Sequence, residues 1–163
     1  MIVVSDASPI INLAQIDMLF LLPKLYGQIM IPPAVYEEIV IKGENEPGAD
    51  EIKNAVWVFV KNCENIELLN ELRAELDDGE AEAIVLSIEL KADRILMDEQ
   101  MGRHKALSLN LRPIGVLGIL IKAKQERLIK NIKPYVDRLI QEAHFFIHPN
   151  LYSEVLKLAN EAS

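Results

Sequence analysis

Apolar positions along this chain fall into short runs and spaced stripes that alternate. Ile2-Val3-Val4-Ser5 is a compact apolar run followed at once by Asp6 and a Ser8-Pro9 pair. That pattern predicts a buried parallel strand feeding a helix with Pro9 in its first turn, and it puts Asp6 at the strand's carboxyl end. Helical stretches are predicted near residues 10–15 and 18–26, and Gly27 breaks the pattern ahead of a second strand at residues 28–31. Pro32 and Pro33 close that strand and open a helix over residues 34–42, whose Val35, Tyr36 and Ile39 recur at helical spacing until Gly43. Residues 44–50, with Pro47 and Gly48, read as a loop, and residues 56–60 as a third strand.

After a leucine-bearing helix near residues 66–76, Asp77-Asp78-Gly79-Glu80 opens a long helix with Ala81, Ile84, Val85 and Ile88 on its buried face. Residues 94–97 give a further strand that ends on Asp98-Glu99. A helix near 101–109, a short strand around 113–116 and helices at 117–128 and 134–143 continue the alternation. Phe145-Phe146-Ile147 is read as an edge strand or a dimer contact, and a last helix spans about 152–160. Strands separated by helices predict an α/β fold, a three-layer α/β/α sandwich with a central, mostly parallel sheet. Ligands in such sheets bind outside the carboxyl ends of the strands. The chain length of 163 residues suits one domain, with a core over about 2–125 and a helical or edge extension over about 126–163.

The longest stretch without Asp, Glu, Lys or Arg runs only from Leu25 to Tyr36, short of the roughly 18 apolar residues a spanning helix needs. No basic region precedes an apolar run at the N-terminus, so a cytoplasmic address is expected, with no membrane association. A single cysteine, Cys63, agrees with a reducing compartment and is read as packing or surface filler. Trp57 is expected in the core.

The net charge of −8 argues at first against a polyanionic partner, yet the charge is unevenly spread. Residues 1–100 carry 7 basic and 20 acidic side chains, whereas residues 101–163 carry 10 basic and 5 acidic. Arg103, Lys105, Arg112, Lys122 and Lys124 belong to a basic stretch that either binds phosphates or forms solvated helix faces.

Asp6 and Asp98 sit on strand ends, and two helices starting beside those ends carry Glu38 and Glu80. Converging carboxylates repel one another unless a cation compensates them, and hard oxygen donors favour Mg²⁺ or Mn²⁺ over zinc. Such ions activate water and neutralise charge developing on a phosphodiester. The competing reading is structural: Asp6 caps the helix near Pro9, and Asp77 with Glu80 has capping-box spacing. Glu37, Glu38 and Glu82 then are solvated helix residues. At about 100° per residue, Glu80 flanks the apolar face more closely than Glu82, and Glu38 lies nearer its stripe than Glu37. His104, His144 and His148 show no metal-ligand spacing, and Gly115 and Gly118 stand alone rather than in a nucleotide-binding loop. A phosphatase would want Asp-x-Asp after the first strand, where position 8 is Ser.

Taken together, Val3 to Pro9, PPAVYEEI from Pro32 to Ile39, Gly79-Glu80-Ala81-Glu82-Ala83, and Leu96-Met97-Asp98-Glu99 with Gly102-Arg103 resemble the PIN-domain superfamily. Within it they resemble a prokaryotic branch of predicted nucleic-acid-binding proteins close to the VapC-like toxin ribonucleases of toxin–antitoxin modules. The resemblance covers about residues 2–125 and extends weakly beyond. It implies a parallel sheet flanked by helices, Mg²⁺- or Mn²⁺-dependent cleavage of single-stranded or structured RNA, frequent homodimers, and often an antitoxin protein as partner. By position it implies Asp6 as first metal ligand with the Ser8 hydroxyl in support. Glu38 is then the second acid, Glu80 the third and Asp98 the fourth, with Glu99 and Arg103 as additions. The chain departs from the commonest toxin pattern in having Glu in the third position and in pairing acids at 37/38, 80/82 and 98/99. That departure leaves a second expectation open, a PIN-fold module that binds RNA or a protein partner without cutting.

Overall fold

The computed structural model describes residues 1–161. Five strands form one parallel sheet: β1 (Val3–Ser5), β2 (Ile29–Ile31), β3 (Val58–Val60), β4 (Arg94–Leu96) and β5 (Pro113–Ile114), in the order β3-β2-β1-β4-β5. The chain winds outward from β1 to β3, then returns to the other side of β1 for β4 and β5. The reversal falls between β1 and β4, the position at which open parallel sheets leave a crevice beyond their strand ends.

Alternation along the strands explains why both faces are covered. Val3 and Leu96 point into a cluster shared with α1 (Ala7–Gln15), α2 (Leu21–Tyr26), α8 (Val116–Gln125), α9 (Lys133–Glu142) and α10 (Pro149–Leu158). Their neighbours Val4 and Ile95 point the opposite way, against α5 (Ile66–Arg73), α6 (Asp78–Leu90) and α7 (Gln100–Ser108). These are the three layers. The C-terminal helices are part of the packing, since Val136, Leu139, Val155 and Leu156 are buried in the first cluster.

Several elements differ from expectation. The helix after β2 is regular only over α3 (Pro33–Tyr36) and continues as a π-helical stretch, Glu37–Lys42. Wide π-helical turns recur at functional sites. Gly43 closes the stretch, and a Cβ there would stand 2.5 Å from the Ile39 carbonyl oxygen. The polar segment read as loop gives way to a short helix, α4 (Ala49–Asn54), entered through Gly48 at φ 96°. Phe145 to Ile147 form no strand; they lie in the connection between α9 and α10. Trp57 is half-buried, packed against the edge of the first cluster. Among the described residues no helix is long and apolar enough to cross a membrane.

Candidate functional site

The parallel register pairs Ser5 with Leu96, and the Asp6 amide donates to the Leu96 carbonyl at 2.9 Å. The ladder therefore puts Asp6 and Asp98 just past the carboxyl ends of adjacent strands, where the strand order reverses. Asp6 is 4% exposed and stands at the N-cap of α1, but its carboxylate makes no capping hydrogen bond within that helix. Its Oδ1 rests instead on the first turn of α6, where a Cβ on Gly79 would come within 3.2 Å. Burial, reinforced by the charges of Asp77, Glu80 and Glu38, pushes the Asp6 carboxyl up to about 8, against a weaker opposing effect from the Ala7 amide.

Glu80 is buried in the first turn of α6. The capping box is formed: Glu80 N–H donates to Asp77 Oδ1 at 2.8 Å, and Asp77 N–H donates to Glu80 Oε1 at 3.2 Å. The cap does not use up the carboxylate. Glu80 Oε2 faces the start of α7, where a Cβ on Gly102 would lie 2.8 Å from it and 2.6 Å from Met97 Sδ. Burial first, then the charges of Asp77 and Glu99, raise the Glu80 carboxyl to about 7. Glu38, on the π-helical stretch, is raised by partial desolvation and by Asp77, with Lys42 opposing.

Asp98 has different company. Its Oδ2 accepts from Asn12 Nδ2 at 3.0 Å and its Oδ1 from the Val116 amide at 2.8 Å, so it caps α8 from across the sheet. Arg103 stands beside it, donating Nη1 to the Met97 carbonyl at 3.1 Å, and Gly115 permits the approach, since a Cβ there would sit 2.7 Å from Asp98 Oδ1. Desolvation raises Asp98, while the Val116 amide, Asn12 and Arg103 pull it back. Glu99 is exposed, and its charge reaches both Glu80 and Asp98.

The other candidates are distributed as follows. Ser8 lines a cavity together with Asn12, Asp98 and Glu99. Glu82 is engaged between helices: its Oε1 accepts from the Ala34 amide at 3.2 Å and its Oε2 lies 3.6 Å from Arg73, so it fastens α3 to α6. Glu37 is exposed on the π-helical stretch. Of the basic residues, Lys105 pairs with Glu75 at 2.7 Å, and Lys124 pairs with Glu161 at 2.9 Å and also donates to the Ala159 carbonyl. The Lys122 ammonium lies 5.0 Å above the Tyr26 ring, and Arg112 is exposed. Arg103 is the one of the five that stands at the acidic crevice.

Two residues beside these acids carry no functional signal in the sequence. Asp77 was visible as a cap, but its charge acts on Asp6, Glu38 and Glu80 alike. Asn12 lies one and a half turns into α1 with nothing in the pattern to mark it.

A family model described as a PIN domain matches residues 2–161. The chain belongs to the PIN-domain family. No curated protein and no solved structure gives a significant match. The PIN family carries the nuclease-type fold, and the five-stranded parallel sheet flanked by helices agrees with it. The match also takes in α9 and α10, beyond the segment over which the motifs are strong.

PIN domains use divalent metal ions, and the donor set can be tested for one. Among the described residues, no three Asp, Glu, His or Cys side chains are already drawn around one point. The chemistry fits all the same. The donors are carboxylate oxygens, as hard divalent cations require, and no cationic side chain is among the groups acting on buried Asp6.

Proposed function

We propose that this PIN domain is a metal-dependent endoribonuclease. The carrying observation is Asp6, a carboxylate 4% exposed, held against the acidic first turn of α6, with Asp77, Glu80 and Glu38 raising its proton affinity. Near neutral pH such a group keeps its proton or takes a cation, and a binding site for Mg²⁺ or Mn²⁺ at Asp6 and Glu80, completed by Asp98 across the crevice, satisfies it. A divalent ion there would neutralise charge on a phosphodiester and activate water. Glu38 and Asp77 border the site from one side. Arg103 holds a positive charge beside Asp98, where a phosphate would otherwise meet only acids.

Cleavage of single-stranded RNA with Mg²⁺ or Mn²⁺, abolished by EDTA, tests the reading. Asp6→Asn and Asp98→Asn are expected to lower kcat by at least two orders of magnitude, in line with losing electrostatic stabilisation of the transition state. A wild-type chain that cuts nothing, or Asn variants with full activity, would sink it. The finer expectations, a toxin with an antitoxin partner, a homodimer and a cytoplasmic address, belong to the same reading.

A second reading draws on Asp98, whose carboxylate is engaged by Asn12 and Val116 and neighboured by Arg103. In it the domain binds RNA or a protein partner and does not cut. Calorimetric titration with Mn²⁺ separates the two: heat that disappears in Asp6→Asn favours the nuclease, and no heat with intact RNA favours the binder.

A further inference from the structure

The connection from α9 to α10 presents one aromatic ring to solvent. His144 takes φ 54°, the Phe145 amide donates back to the Leu139 carbonyl at 2.9 Å, and Phe145 and Ile147 pack half-buried against the first cluster. Phe146, anchored on both sides, is 85% exposed. Leaving such a ring in water forgoes the stabilisation that burying a large apolar side chain ordinarily brings.

The ring borders the crevice on its Asp98 side. A cavity of about 470 Å³ and another of about 480 Å³ are both bounded by Phe146, Phe145, Gln100 and Asp98. The first has an apolar wall including Leu117 and Ile121, with Arg103 at its Asp98 end. An outward ring, an apolar wall and a guanidinium beside the acids match the parts of one nucleotide: a flat base to stack, and a phosphate for the cation. A second copy of the chain fits less well, because Phe146 with neighbouring Leu151, 43% exposed, falls far short of the roughly 800 Å² per partner of a stable interface.

We propose that Phe146 is a stacking platform for an unpaired base of the RNA strand whose backbone passes Asp98 and Arg103. This rests on the ribonuclease reading and deepens it: the substrate is single-stranded next to the cleavage point, and stacking makes that position tolerant of sequence.

Fluorescence anisotropy in EDTA, with a short mixed-sequence single-stranded RNA and a set of the same strands carrying one abasic position each, tests the proposal. Phe146→Ala is expected to weaken binding about 5- to 150-fold, the range of one stacked base. Phe146→Leu, apolar but without a π face, is expected to weaken it comparably, and Phe146→Trp to match wild type or bind tighter. At one position the abasic strand should weaken wild type and leave Phe146→Ala unchanged, a coupling that a structural role would not produce. Since the ring is exposed, the melting temperature of Phe146→Ala should stay at the wild-type value.

Wild type that binds no single-stranded RNA, Leu or Ala variants that bind as wild type, or coupling at no position would each overturn the proposal. So would an Ala variant that loses self-association in sedimentation while keeping RNA affinity, which would assign the ring to a second copy. The nuclease reading fails on another readout: RNA bound through Phe146 but left uncut with Mg²⁺ or Mn²⁺ would leave the base site standing and remove the catalysis.

Discussion

Replacing Asp6 by Asn should make the metal-free protein more stable, by an amount that grows with pH. Asn keeps the shape of the neutral acid and discards the charge. The Asp6 carboxyl, ordinarily near 3.8, is pushed up to about 8, first by burial and then by neighbouring acids. A raised carboxyl means the native state holds its proton more tightly than the unfolded chain does. Its stabilising contribution is therefore whole below pH 3.8 and is lost as pH climbs towards 8. At about 1.4 kcal/mol per pH unit the loss is bounded near 6 kcal/mol, and interior relaxation and water leave about 2–4 kcal/mol. For a domain of this size each kcal/mol moves the melting temperature by about 2–4 °C, so the gap at pH 8 should be roughly 5–15 °C.

Thermal melts in EDTA across this range, wild type beside Asp6→Asn, read the gap directly. It should be small at the acid end and widest at pH 8. Mn²⁺ should close it from the wild-type side, about 2.7 kcal/mol at a hundredfold excess over Kd, with a smaller gain for the variant. A gap that does not vary with pH, or an Asn variant that melts lower at pH 8, would refute the idea that Asp6 is a strained, cation-seeking carboxylate.

Three further outcomes follow from individual contacts. Gly102→Ala drives a Cβ into Met97 Sδ and Glu80 Oε2, so denaturant titration should show a loss of about 1–3 kcal/mol, with RNA cleavage falling because Glu80 is displaced. Glu82→Ala removes the acceptor of the Ala34 amide; the expected cost is about 1 kcal/mol, with kcat reduced through the loosened Glu38 helix, while Glu82→Gln should restore most of both. Lys124→Met leaves Glu161 without its ammonium partner although the Ile132 and Lys133 amides still reach it. The expected loss is about 1–2 kcal/mol, and amide exchange should quicken around residues 129–133 and 155–161 without change in cleavage.

How much of this was legible beforehand depends on the range of the interaction that decides each feature. The strand-end placement of Asp6 and Asp98 follows from short apolar runs that stop at an acid, a local signal. The two-faced burial of the sheet is legible for the same reason: Val3 and Val4 must point opposite ways. The capping box at Asp77 and Glu80 likewise needs only three residues of sequence.

What was not legible is set by contacts across space. Spacing at 100° per residue prefers Glu38 over Glu37, but residues 37–42 turn as a π-helix, so that angle does not apply. What now distinguishes Glu38 is the influence of Asp77 on its carboxyl, 39 positions along the chain. The basic stretch after Arg103 was counted as charge, and charge alone cannot show that Lys124 is engaged by Glu161 and Lys105 by Glu75. The segment at Phe145 looked like strand because its residues are apolar and aromatic. Strand propensity measures fit to a pleated, half-buried surface, and here Phe145 and Ile147 find that burial against helices while the residue between them does not.

The glycines make the last connection between sequence and site. Gly79 lies under Asp6, Gly102 under Glu80 and Gly115 under Asp98, each where a methyl group would press on a carboxylate oxygen. In the sequence these glycines are a helix residue, a second helix residue and part of a short strand, and for two of them the helical setting costs roughly 1 kcal/mol relative to Ala. The space they leave keeps backbone, and not side chain, against the acids. Helix propensity favours Ala at 79 and 102, yet at both turns the methyl group would meet an acid, and at 102 Met97 Sδ as well, so close packing outweighs the propensity gain. Acids held this closely against backbone, at a cost in helix propensity, are the expected mark of a site arranged for something other than stability.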